Sequence, residues 1–139
     1  MDRLLHLSHT LNELDPPRWP DPGDETTHLV RRVHQLRRVP LGELRPADLH
    51  MLITQQVGLP FVLPLAIRLL TREPLVDARF YEGDLLLAAV TAPAAAWNML
   101  PDAAEQLRTV ITSAVPQAAV AELPRGAAEQ LTHFVDSRP

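Results

Sequence analysis

Apolar residues along this chain recur three and four positions apart, and prolines cut that pattern into pieces of helix length. No piece alternates apolar and polar residues over the length of a strand, and β-branched runs are few. Near the start, Leu4, Leu7, Leu11 and Leu14 share a heptad-like stripe, which fits either a short amphipathic helix or an extended segment laid on the core. Residues 15–25, DPPRWPDPGDE, carry too many prolines for regular structure and read as a surface connector pinned by Trp19. Thr26 or Thr27 can cap a helix over 27–38, with Leu29, Val30, Val33 and Leu36 inward and Arg31, Arg32, Arg37 and Arg38 outward. Pro46 suits the first position of a helix over 46–57, and Gly58 is placed to end it in the left-handed conformation.

The segment 60–72 is apolar nearly all round: Phe61, Val62, Leu63, Leu65, Ala66, Ile67, Leu69 and Leu70. A helix of that kind is central and buried. Pro64 is tolerated if the helix starts near Phe61, because first-turn N–H groups have no intrahelical acceptor. Pro74 stops it, and LVDARFYEG (75–83) forms a loop of large and charged side chains. Asp84 can cap a helix over 84–91, Pro93 begins another helix containing Trp97, and Pro101 opens a helix to 115 lined by Leu107, Val110, Ile111 and Val115. A last helix, 126–136, presents Leu131, Phe134 and Val135. The fold class expected is all-α: a compact single-domain bundle of about six helices around a buried central helix at 60–72. Residues 1–25 read as an N-terminal segment and proline-rich connector, and 26–139 as the helical domain.

Composition narrows the chemistry. The 139 residues include no cysteine, which excludes disulfides, a thiol nucleophile and Cys-type zinc or iron–sulfur sites. All 13 basic residues are arginine, so a Schiff-base or P-loop lysine is excluded as well. A net charge of −4 argues against a nucleic-acid partner, and the run Arg31-Arg32…Arg37-Arg38 lacks the interleaved aromatics such a surface uses. The most apolar run, Gly58 to Ile67, is far short of the ~20 residues that cross a bilayer. MDRLLHLSHTLNEL lacks the apolar core and cleavage site of a signal peptide. The expectation is a soluble cytoplasmic protein with no membrane contact.

No G-x-S-x-G, G-x-G-x-x-G or P-loop is present. His6 with His9, and His28 with His34, match no ligand spacing, so no metal and no cofactor are expected. Of Gln55 and Gln56, one faces the helix stripe and is expected to bridge the helix corner through its amide. The one dense acidic group beside bulky side chains is Asp77, Glu82 and Asp84, with Phe80 and Tyr81. It can be a helix cap with solvated loop charges, a partner-binding patch, or a catalytic pair. Nothing resembling a nucleophile or oxyanion device accompanies it, so the chain reads as a non-enzyme with no small-molecule substrate. Asp77, Tyr81, Glu82 and Asp84 are the candidate partner contacts, and the acidic first turn at Asp102 and Glu105 is the alternative location.

The strings HQLRRVPL (34–41), RPADL (45–49), ITQQVGLPFVLPLA (53–66), Pro74-Leu75 and FYEGDLL (80–86) together resemble the helical immunity proteins of contact-dependent growth inhibition (CDI) systems. The resemblance spans residues 28–100. Thr54 stands where that pattern has a glycine, and Arg79 where an acid precedes the Phe-Tyr pair. The resemblance implies a non-catalytic bacterial protein that binds the toxic C-terminal domain of a cognate effector, many such toxins being nucleases. A non-catalytic helical adaptor or regulatory protein with another protein partner is the alternative.

Overall fold

The computed structural model describes residues 6–14 and 27–137. Trp19 and the connector expected at 15–25 lie outside the described residues. Among the described residues the elements are α1 (Leu11–Leu14), α2 (His28–Leu36), α3 (Pro46–Thr54), α4 (Leu59–Arg72), α5 (Asp84–Val90), α6 (Ala94–Asn98), α7 (Pro101–Ala114), α8 (Gln117–Ala121) and α9 (Ala127–Asp136), with a 3-10 turn at Leu41–Glu43. The all-α class and the central helix stand as expected. The helix begun by Pro93 is α6, five residues long; α1, of four residues, takes the helical one of the two N-terminal readings, and α8, of five, is the addition.

α4 packs against α3, α5 and α7, and Val62, Leu63, Ala66 and Leu70 are wholly excluded from solvent. It begins earlier than its prolines suggest. Gly58 takes φ +62° as the N-cap, and Leu59 is already helical, so Pro64 lies inside the helix. The pyrrolidine there removes one i→i−4 donor, a loss offset by burial of the apolar faces on both sides. A side chain at Gly58 would also strike Leu11, whose Cδ2 lies 2.6 Å from an ideal Cβ, so Gly58 admits the N-terminal segment to the core. That segment is tied down by backbone bonds from the Leu41 and Gly42 N–H groups to His9 and Leu7.

Three local expectations need correction. Leu29 and Val30 are 39% and 41% exposed, and α2 buries only Val33 and Leu36 against α3. Arg37 points inward rather than outward: it is fully buried and its Nε donates to Asn12 Oδ1 at 3.0 Å. Gln55 and Gln56 are both exposed, so neither amide bridges the helix corner. Instead α3 ends at Thr54 with Gln56 at φ +57°; Gln56 N–H reaches Ile53 C=O and Val57 N–H reaches Leu52 C=O. This is the Schellman pattern with glutamine in the position glycine usually holds.

Candidate functional site

The loop between α4 and α5 closes on itself. Pro74 follows the last helical turn, Asp77 and Glu82 form a single antiparallel bridge, and Gly83 N–H reaches back to Leu75 C=O at 3.1 Å. Gly83 sits at φ +91°, where a β-carbon would meet Leu123 Cδ2 at 2.6 Å. Only glycine meets both demands, the left-handed turn and the close approach of Leu123.

Asp84 anchors this loop from beneath. It is 1% exposed, and its carboxylate accepts the backbone N–H groups of Ala78 (2.8 Å), Arg79 (2.9 Å) and Phe80 (2.9 Å). The expectation that Asp84 caps its own helix therefore changes: Gly83 is the N-cap, and the Asp84 carboxylate turns back to gather the loop. An interior carboxylate of this kind cannot meet a partner; its part is to fix the loop's shape. Burial pushes its carboxyl pKa up, but the N–H donors of Phe80, Ala78 and Arg79, with His50 nearby, outweigh burial and hold it below the ordinary value.

His50 on α3 completes the support. Its Nε2 lies 3.9 Å from Asp84 Oδ2 and its ring meets Phe80 edge-on at 5.5 Å. Burial lowers the imidazole pKa most; Asp84 opposes that shift and Arg79 adds to it. No motif marks His50 in the sequence, because its partners lie some thirty positions away. The pairing emerges only when α3 packs on α5.

Above this floor the loop presents its side chains to solvent. Phe80 is 66% exposed, Tyr81 38%, and Asp77, Arg79 and Glu82 are exposed as well. The Arg79 guanidinium covers the Phe80 ring at 4.8 Å from its centroid. Of the four sequence candidates, Asp77, Tyr81 and Glu82 are thus exposed on one loop, and Asp84 is buried. Phe80 and Arg79 are exposed on the same loop, although the sequence reading takes Phe80 only as a neighbour. A signal for Phe80 is present: it is a large aromatic in a loop between two buried helices. Asp102 and Glu105, the alternative pair, are exposed on α7, with Glu105 Oε2 3.7 Å from Arg108 Nε.

An aromatic pair rimmed by charges of both signs, on a loop whose backbone is locked from within, suits tight protein recognition better than turnover. Among the described residues no group of three or more His, Asp or Glu side chains gathers in a way that could hold a metal ion. No helix among them is long and apolar enough to cross a membrane.

The family model for CDI immunity proteins matches residues 13–107. This chain belongs to the CDI immunity protein family. The match runs beyond the resemblance noted at 28–100 on both sides and takes in the whole α4–α5 loop. No curated protein and no solved structure shows a significant match. As an immunity protein the chain has a toxin as its counterpart, and α8 and α9 lie beyond the matched segment.

Proposed function

We propose that this immunity protein neutralises the toxin domain of a cognate CDI effector, a nuclease, by docking on it in the producing cell's cytoplasm through the α4–α5 loop. Asp77, Phe80, Tyr81 and Glu82 are the contacts, and Asp84 holds them in place. The observation that carries the reading is the pairing of 66% exposure at Phe80 with a backbone fixed by the buried Asp84 carboxylate. An exposed aromatic on an ordered loop loses little conformational entropy on binding, which is how hot spots gain their energy. The acids at Asp77 and Glu82, with a chain charge of −4, would speed encounter with a basic nuclease cleft. Inhibition then needs no chemistry from the immunity protein, only coverage of the toxin's working surface. Each immunity protein must fit one toxin and reject others, so Arg79, in place of an acid, acts as a specificity contact.

The test is protection of toxin-expressing cells together with calorimetric titration of the toxin domain. Replacing Asp77, Phe80, Tyr81 and Glu82 by alanine together should weaken binding at least about 100-fold, since two or more hot spots are removed. Melting temperature should hold, because these side chains are exposed. Unchanged protection and affinity in the folded variant would discard this surface.

A further inference from the structure

A second concavity lies where the α5–α6 corner, α7 and α9 meet. Its volume is about 850 Å³. That is the size of a pocket for a small organic molecule and far more than one amino-acid side chain fills. Val90, Pro93, Trp97 and Phe134 supply apolar wall; Gln130, His133 and Ser137 supply polar groups at the α9 side. Trp97 and Phe134 stand edge to face at 5.2 Å, and Trp97 is held by its indole N–H on Ala89 C=O at 2.9 Å, so the aromatic wall is preformed.

Arg108 lines the same cleft and is 6% exposed. Among the described residues neither its Nε nor its Nη1 makes a hydrogen bond. Its neighbours are the Phe134 ring, 5.7 Å from the guanidinium carbon, and Glu105, 3.7 Å from Nε with a side chain 53% exposed. A buried guanidinium normally has its donors filled, because an unmet charged donor forfeits its hydration. An unfilled guanidinium donor beside an aromatic wall matches a carboxylate on a flat apolar body.

We propose that this cleft binds a small organic carboxylate with an aromatic or flat apolar body, its carboxylate on Arg108 and its ring against Trp97 and Phe134. The site is separate from the loop that meets the toxin. Arg108, Gln130, His133, Phe134 and Ser137 lie beyond the segment matched by the family, whereas Val90, Pro93 and Trp97 lie within it. Thr91 and Gln130 also line the shallow depression beneath Tyr81 and Asp84, so the cleft and the loop share a wall.

The test is calorimetric titration of the full chain with 2-naphthoate and, in parallel, with neutral 2-naphthamide. The naphthoate should bind saturably and about tenfold or more tightly than the amide, the margin expected for a charge-assisted hydrogen bond. Arg108→Met should bring the two ligands to equal affinity. Ala94→Trp, at the exposed rim with Arg108 intact, should block both. If Arg108→Met fails to fold, the naphthoate–naphthamide difference in the unaltered protein and the Ala94→Trp block still decide. No saturable binding up to about 5 mM, equal affinity for the two probes, or naphthoate binding that survives Ala94→Trp would overturn the site. Slowed exchange of the cleft's α9 amides in the toxin complex, with naphthoate silent, would assign the cleft to the toxin and overturn it equally.

Discussion

Replacing Asp84 with asparagine changes one oxygen to an amide and leaves the side chain's shape intact. In the native protein two carboxylate oxygens serve three backbone donors, Ala78 on Oδ1 and both Arg79 and Phe80 on Oδ2. The carboxamide has a single acceptor oxygen. In its best orientation that oxygen keeps Arg79 and Phe80, and the NH2 group then faces the Ala78 N–H, donor against donor. One charge-assisted bond is lost and two become neutral, so the expected destabilisation is about 2–3 kcal/mol. Asp84→Ala loses all three acceptors and leaves a void; about 3–5 kcal/mol follows, limited because Arg79 and Phe80 are exposed and their N–H groups can regain water. The asparagine variant stays folded if native stability is in the usual range of ~5–15 kcal/mol. Urea unfolding gives the first number. Hydrogen exchange gives the second: amides of Ala78, Arg79 and Phe80 should exchange about 30-fold faster or more, the equivalent of ~2 kcal/mol of local opening. The carboxyl is held below its ordinary value of 3.8, so its stabilisation is complete above that pH and is lost as pH falls through the lower native value. Asp84→Asn should remove that part of the acid transition. A variant within about 0.5 kcal/mol of the native protein, with unchanged exchange at 78–80, would refute the anchoring role.

Burial of neutral His50 acts in the same direction but in a higher pH window. Its native pKa lies below 6.5, so the unfolded chain takes up a proton first, and stability falls as pH drops from 6.5 toward the native value; urea midpoints at pH 8 and pH 5.5 should converge in His50→Leu relative to the parent. Gln56 occupies the left-handed region at φ +57° without a glycine's freedom, so Gln56→Gly should stabilise the protein by about 0.5–1 kcal/mol in the same assay. Asn12→Ala removes the Oδ1 acceptor of the buried Arg37 Nε and should cost about 1–3 kcal/mol, with faster exchange of the Leu41 and Gly42 amides that bind the same segment.

Elements built on local periodicity are legible in the chain itself. The 60–72 helix shows in its all-round apolar pattern, and Pro101 at the start of α7 announces itself by position. What escapes is decided by distant partners. Arg37 looks like one more outward arginine until Asn12, twenty-five residues earlier, is packed beside it. Asp84 looks like a cap because the sequence marks a helix start; that its carboxylate turns backward depends on how the loop closes through Leu75 and Gly83. Likewise Gln56 reads as part of the helix over 46–57, whereas the chain needs a left-handed residue ahead of Gly58 to turn from α3 into α4. The candidate loop itself is legible from clustered acids beside Tyr81, but its division into exposed contacts and a buried anchor is not. That division follows from three hydrogen bonds that no spacing rule encodes.

A hydrogen-exchange footprint of the immunity protein with and without its toxin domain reads directly which surface meets the toxin. Slowed exchange is predicted across residues 76–83, with α7 around Asp102 and Glu105 unchanged. Protection confined to the α7 turn, with the α4–α5 loop exchanging as in the free protein, would contradict the proposed docking.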